Sequence, residues 1–146
     1  MPSIQFFNQQ INFTLKGKLQ LRRWLAAVAK LEGFNIIELN YIFCSDEFLH
    51  QMNVHYLNHD TLTDVITFDN SIIKGEVIGD VFISIERIKE NANTYNVAIS
   101  DELHRVMVHG LLHLCGYEDK STNAKKRMTE NEDYYLKKRK RSMAKN

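Results

Sequence analysis

The chain has 146 residues, 44% of them apolar, with 19 Lys+Arg against 18 Asp+Glu and a net charge of +1. That length supports one compact domain rather than two independent cores, and the average composition excludes whole-chain disorder, collagen-like and coiled-coil classes. Near-zero net charge also excludes a uniformly basic surface, but the charge is unevenly placed: residues 1–119 hold 9 basic and 15 acidic side chains, residues 120–146 hold 10 basic and 3 acidic.

In chain order, residues 1–10 have no basic segment followed by a long apolar one, so they do not read as a secretory signal. Residues 3–7 and 11–15 alternate apolar and polar side chains, as half-buried strands do. Residues 17–32 place Leu21, Leu25, Val28 and Ala29 at helical spacing, with Gly33 suited to the C-terminal cap. Residues 35–44 read as a strand, and Ser45 with Asp46 and Glu47 begins a helix to about Tyr56. Residues 63–69 and 77–84 are β-branched and aromatic, hence strands, joined through a hairpin over Asn70 to Gly75. Helices are expected at 85–94, 101–115 and 121–138, the last with Ala124, Met128 and Tyr135 on one side. The pattern is α+β: a small mixed sheet with helices mainly on one face. We expect a single domain over residues 1–138 and a basic, frayed tail over 139–146. The longest apolar runs, such as Trp24 to Ala29, fall far short of the roughly 20 residues of a membrane span. Cys44 and Cys115 make no disulfide framework, which suits two buried, reduced thiols and a cytoplasmic protein.

The stretch Ser100 to Asp119 carries the chemistry. Ser100 is the expected N-cap, with Asp101 and Glu102 at the positive end of the helix dipole. His109 and His113 are four apart, so both rings project from one face and can share a metal ion. Gly116 can reverse the chain, and Asp119 follows six residues after His113. This is the spacing of zincin-like metal helices, with Asp in the last position. Glu118 competes as the third ligand; Cys115 points to another side. Zinc peptidases place Glu directly after the first His, whereas this chain has Gly110, which argues against proteolysis. Arg105, one turn before His109, is a candidate phosphate clamp, or equally a solvated surface arginine.

His109-Gly-Leu-Leu-His-Leu-Cys-Gly-Tyr-Glu-Asp119 resembles H-G-x-L-H-L-x-G-Y-D-H, the signature of the YbeY family. Met52 to Phe68 is similar to that family's L-N-x-x-Y-R-x-x-D-x-P-T-D-V-L-S-F, and Ile78 to Ser84 to its L-G-D-I-x-I-S. The resemblance covers about residues 30–136. It implies a metal-dependent endoribonuclease, specific for single strands, that matures ribosomal RNA (the 3′ end of the small-subunit RNA) by hydrolysing phosphodiesters with a metal-bound water. It implies one metal ion, zinc or another divalent ion, held by His109, His113 and Asp119. It also places Thr63 and Asp64 near the metal cleft, Asp64 as a catalytic candidate. The chain departs from the family in three places: Asp119 stands for the third His, Leu57 for the arginine of Y-R, and Leu62 for the proline of P-T-D. The missing arginine and base also favour weighing a non-catalytic, metal-stabilised ribosome-assembly factor.

Lys125, Lys126, Arg127, Lys137 and Lys138 lie in two basic clusters and are the candidate RNA-binding residues, by counterion release rather than base reading. Expected partners are ribosomal RNA and the small subunit or its assembly factors. No membrane partner is expected, and the chain reads as a monomer.

Overall fold

Alternating burial along the central strands decides which face of the sheet meets the helices. The computed structural model describes residues 2–59 and 61–144, with side chains described through Arg139. The elements run β1 (Ser3–Gln9), α1 (Lys18–Leu31), β2 (Asn35–Cys44), α2 (Asp46–Leu57), β3 (Val65–Asp69), β4 (Glu76–Ser84), α3 (Ile85–Tyr95), α4 (Ile99–Leu114) and α5 (Thr122–Ala144). The four strands are ordered β1-β2-β4-β3. β1, β2 and β4 are parallel, and β3 pairs antiparallel with β4 through the expected hairpin. On β2, Ile36 and then Leu39, Tyr41 and Phe43 are buried. A register shift between Ile36 and Glu38 supplies the extra residue that brings even and odd positions onto the same face.

That face, with Val77, Val81 and Ile83 of β4, packs against Leu21, Trp24 and Leu25 of α1 and Met107 and Leu111 of α4 in one core. The Trp24 indole donates to the Tyr135 carbonyl at 2.9 Å, tying α5 to α1. Among the described residues α2 covers the opposite face, where Leu49 meets Cys44 and Ile66. The fold is therefore α+β with helices mainly on one face, as expected. Ser45 caps α2, its hydroxyl accepting from the Phe48 amide at 3.1 Å.

Three details differ from the sequence reading. Residues 11–15 form no strand. The Asn8 side chain donates to the Phe13 carbonyl at 2.7 Å, and Gln10 is left-handed with φ 56°, so the chain folds back locally while Phe13 and Leu15 still reach the core. α4 begins at Ile99 with Ala98 as its cap, which puts Ser100 inside the first turn. α5 continues past residue 138 to Ala144, and Arg139 is buried, donating to Asp101 at 2.9 Å and to His104 Nδ1 at 2.7 Å. Of the expected tail, the side chains of residues 140–146 lie outside the described residues. Both cysteines are free and buried, and burial pushes each thiol up to about 12. Among the described residues no helix is long and apolar enough to cross a membrane.

Candidate metal centre

The site is built on α4 and the turn that ends it. Gly110, the residue after His109, faces the sheet: a Cβ there would lie 2.7 Å from Val81 Cγ1. Glycine lets α4 approach the strands closely, and no carboxylate could occupy that position as a base. At the helix end, Gly116 takes φ +99°, and the Tyr117 amide donates back to the Leu112 carbonyl at 3.0 Å, the closure of a Schellman turn. The turn delivers two groups at once. The Tyr117 carbonyl accepts from His113 Nδ1 at 2.9 Å, and Asp119 returns beneath both rings.

The result is a converging donor set. Asp119 Oδ2 lies 3.3 Å from His113 Nε2 and 3.5 Å from His109 Nε2, and one donor atom from each residue falls within 4.8 Å of the others. Two donors at zinc–ligand distances of about 2.0–2.1 Å, set at the tetrahedral angle, lie about 3.3 Å apart. Charge-assisted hydrogen bonds are shorter, about 2.7–2.9 Å. The spacing therefore suits a shared cation better than direct imidazole–carboxylate pairing. Both Nδ1 atoms are engaged on the outer side, which fixes the Nε2 atoms inward. The residues present fit a divalent ion. Of the two candidate third ligands, Asp119 joins the cluster. Glu118 is exposed and lines a separate depression with Cys115 and Gly116.

The donors open into a cleft of about 640 Å³, bounded by Thr63 to Val65 and Thr67, by Tyr95 at the end of α3, and by Thr129 and Glu132 of α5. Asp64 lines it, and burial raises its carboxyl above the usual range against the opposing pull of His109. Glu102 is buried in the same cleft rather than serving only the helix dipole. Burial, and then the Asp64 charge, raise its carboxyl as well.

Arg105 lines the cleft and is ion-paired to α5: Nη1 donates to Glu132 at 2.8 Å and Nη2 to Asp133 at 2.6 Å. These two ion pairs fix its position on the cleft wall and engage two of its five N–H groups. Leu57 is 44% exposed at the end of α2 and does not line the cleft. Lys125, Lys126, Arg127 and Lys137 are exposed on α5, and Lys138 is half-buried with its ammonium 5.1 Å from the Tyr134 ring centre. None of these five lines the cleft.

Sequence reading missed Glu132, which accepts from His109 Nδ1 at 2.6 Å and is 6% exposed. Its signal was present: Met128, Glu132, Tyr135 and Arg139 share the buried stripe of α5. Tyr95 was also missed. It is 63% exposed at the cleft lip, and a lone tyrosine at a helix end has no sequence signal.

The family model for Endoribonuclease YbeY matches residues 3–140. The chain is 52% identical over 138 residues to the Endoribonuclease YbeY of Cytophaga hutchinsonii, covering 94% of this chain and 96% of that one. It is 49% identical over 127 residues to that of Flavobacterium johnsoniae, covering 87% and 91%. The solution structure of a Thermotoga maritima protein superposes with a TM-score of 0.65 at 28% identity, covering 93% of this chain and 88% of that one. With a matching family model over nearly the whole chain and relatives of this similarity, the chain belongs to the Endoribonuclease YbeY family.

Proposed function

We propose that this chain is a metal-dependent endoribonuclease that cleaves single-stranded RNA during maturation of the small-subunit ribosomal RNA, with zinc held by His109, His113 and Asp119. Family membership supports the hydrolase activity and the role in ribosomal RNA processing. The convergence of the two Nε2 atoms on Asp119 Oδ2 carries the metal assignment. Cleft electrostatics support it further. Asp64, Glu102, Asp119 and Glu132 line the cleft, and among the described residues its one guanidinium or ammonium group is the already paired Arg105. A phosphodiester would be repelled by such a lining, and a bound divalent cation reverses that. When bound, the ion supplies Lewis acidity and acidifies a coordinating water.

The chain's own residues do the rest. His109 and His113 donate through Nδ1 to Glu132 and to the Tyr117 carbonyl and so turn Nε2 toward the cleft. Asp64, raised by burial, is a carboxyl suited to take and return a proton at the reacting phosphate. Tyr95 offers an open ring face at the lip, on which an unpaired base can stack and a paired one cannot. Lys125, Lys126, Arg127 and Lys137 form an exposed basic face on α5 for the flanking backbone, with Lys138 beside them. The ribosomal small subunit or its assembly factors are the proposed partners, the compartment is the cytoplasm, and the protein acts as a monomer.

The test is cleavage of a single-stranded RNA and of the same sequence annealed to its complement. Chelator-sensitive cleavage of the single strand, lost in Asp64→Asn with zinc content unchanged, is expected. Equal cleavage of both substrates, or an Asp64→Asn enzyme of full activity, overturns this reading.

A further inference from the structure

α5 supplies no donor to the cluster, yet it decides how one donor is held. Each imidazole presents Nε2 inward, so each Nδ1 needs an acceptor behind it. The two acceptors differ. His113 donates to a neutral backbone carbonyl, that of Tyr117, from the turn ending its own helix. His109 donates to the Glu132 carboxylate at 2.6 Å, from another helix. That carboxylate is itself gripped: its second oxygen accepts from Arg105 Nη1 at 2.8 Å, and Arg105 Nη2 reaches Asp133 at 2.6 Å. Arg105 and His109 are four apart on α4, so His109, Glu132, Arg105 and Asp133 join the two helices in one chain of hydrogen bonds and ion pairs. Met128 and Tyr135, buried one turn to either side of Glu132, hold α5 in the core at this height.

We propose that Glu132 is a positioning residue for metal binding that acts through His109, and that Arg105 acts through Glu132 rather than on the phosphate. This rests on the reading of His109, His113 and Asp119 as the metal site. A carboxylate acceptor at 2.6 Å fixes the tautomer and ring plane of His109. The C-terminal helix thereby becomes part of the metal centre without contributing a ligand. An arginine one turn before the first histidine then serves the ligand rather than the substrate.

The experiment measures zinc affinity of the full chain by competition with a chromophoric chelator, and the visible spectrum of the cobalt(II) form. Glu132→Ala is expected to weaken zinc binding about 10- to 100-fold, in line with losses of outer-shell partners. Glu132→Gln keeps an acceptor without the charge and is expected to fall between, with shifted cobalt bands. Arg105→Ala is expected to weaken zinc severalfold, and the Arg105→Ala, Glu132→Ala double variant to be no weaker than Glu132→Ala alone. If Glu132→Ala fails to fold, Glu132→Gln and its cobalt spectrum decide the matter. The proposal is overturned if wild type binds zinc and Glu132→Gln matches it in affinity and spectrum. It is also overturned if Arg105→Ala leaves zinc affinity unchanged while raising KM for RNA, the behaviour of a phosphate clamp. A wild-type chain that binds no zinc is a separate failure, of the metal assignment itself.

Discussion

Removing the Asp119 carboxylate while leaving its neighbour Glu118 in place separates the two carboxylates that chain order alone could not. Structural zinc sites release about 10–16 kcal/mol over four ligands, or about 2.5–4 kcal/mol each. Asp119→Ala should therefore weaken zinc about 10²- to 10³-fold, since the two imidazoles remain. The loss should be confined to the metal. The Asp119 side chain is 40% exposed, so the metal-free protein should unfold within about 0.5 kcal/mol of wild type. Glu118→Ala should change zinc affinity less than twofold, because that side chain is exposed outside the cleft. Asp119→His, which restores the third histidine of the resembling signature, should retain zinc, with an imidazole in place of the carboxylate. Chelator competition on each variant, with urea unfolding of the metal-free forms, gives all the numbers. An Asp119→Ala protein with wild-type zinc affinity, or a Glu118→Ala protein that loses the metal, would refute the assignment.

Gly110→Ala places a methyl 2.7 Å from Val81 Cγ1, against a stiff, fully buried β-branched side chain. Overpacking of about 1–3 kcal/mol exceeds the gain of about 1 kcal/mol from replacing a helical glycine, so urea unfolding should show net destabilisation; a more stable variant contradicts the close approach. His104 is lowered to about 4, first by burial and then by the neighbouring Arg139, whose guanidinium needs an unprotonated Nδ1 to donate to. Its folded pKa lies below its unfolded value, so the unfolded chain binds the extra proton. Stability should therefore fall as pH drops from about 6.5 to about 4, by about 1–3 kcal/mol. His104→Gln should flatten that slope in urea titrations run across the range, and an unchanged slope would contradict the pairing. Tyr95→Ala should raise KM for single-stranded RNA about tenfold or more at unchanged zinc content, while Tyr95→Phe should not; equal KM values would remove the stacking role.

Much of the fold was legible because periodicity reports burial directly. The α1 stripe of Leu21, Leu25 and Val28, the Ser45 cap and the turn between β3 and β4 were all read from local chemistry. Residues 11–15 misled because alternation records which side chains face the core, whereas strand pairing needs a neighbour. Phe13 and Leu15 satisfy the first condition from an irregular segment held by Asn8. Spacing placed the donor triad, since two histidines four apart and a reversing glycine are local geometry. It left Glu118 and Asp119 unresolved, because a turn's direction depends on contacts that are remote in sequence. What lay behind the ligands was not legible. Glu132 sits among charged neighbours that hide it, although it falls on the same stripe as Met128 and Tyr135. Arg105 read as a phosphate clamp or as a surface residue, and its actual partners lie 27 and 28 positions away. The charge split also takes on a definite layout. The acidic body lines the cleft, and α5 turns Glu132 inward while Lys125, Lys126, Arg127 and Lys137 lie exposed on it.

The most direct test measures metal content and RNA cleavage on one preparation. The protein should carry about one equivalent of zinc and cut single-stranded RNA. It should lose both properties in parallel on chelation and recover both with zinc. A preparation that binds less than about 0.3 equivalents even with added zinc, and cleaves RNA equally well with chelator present, would contradict the account.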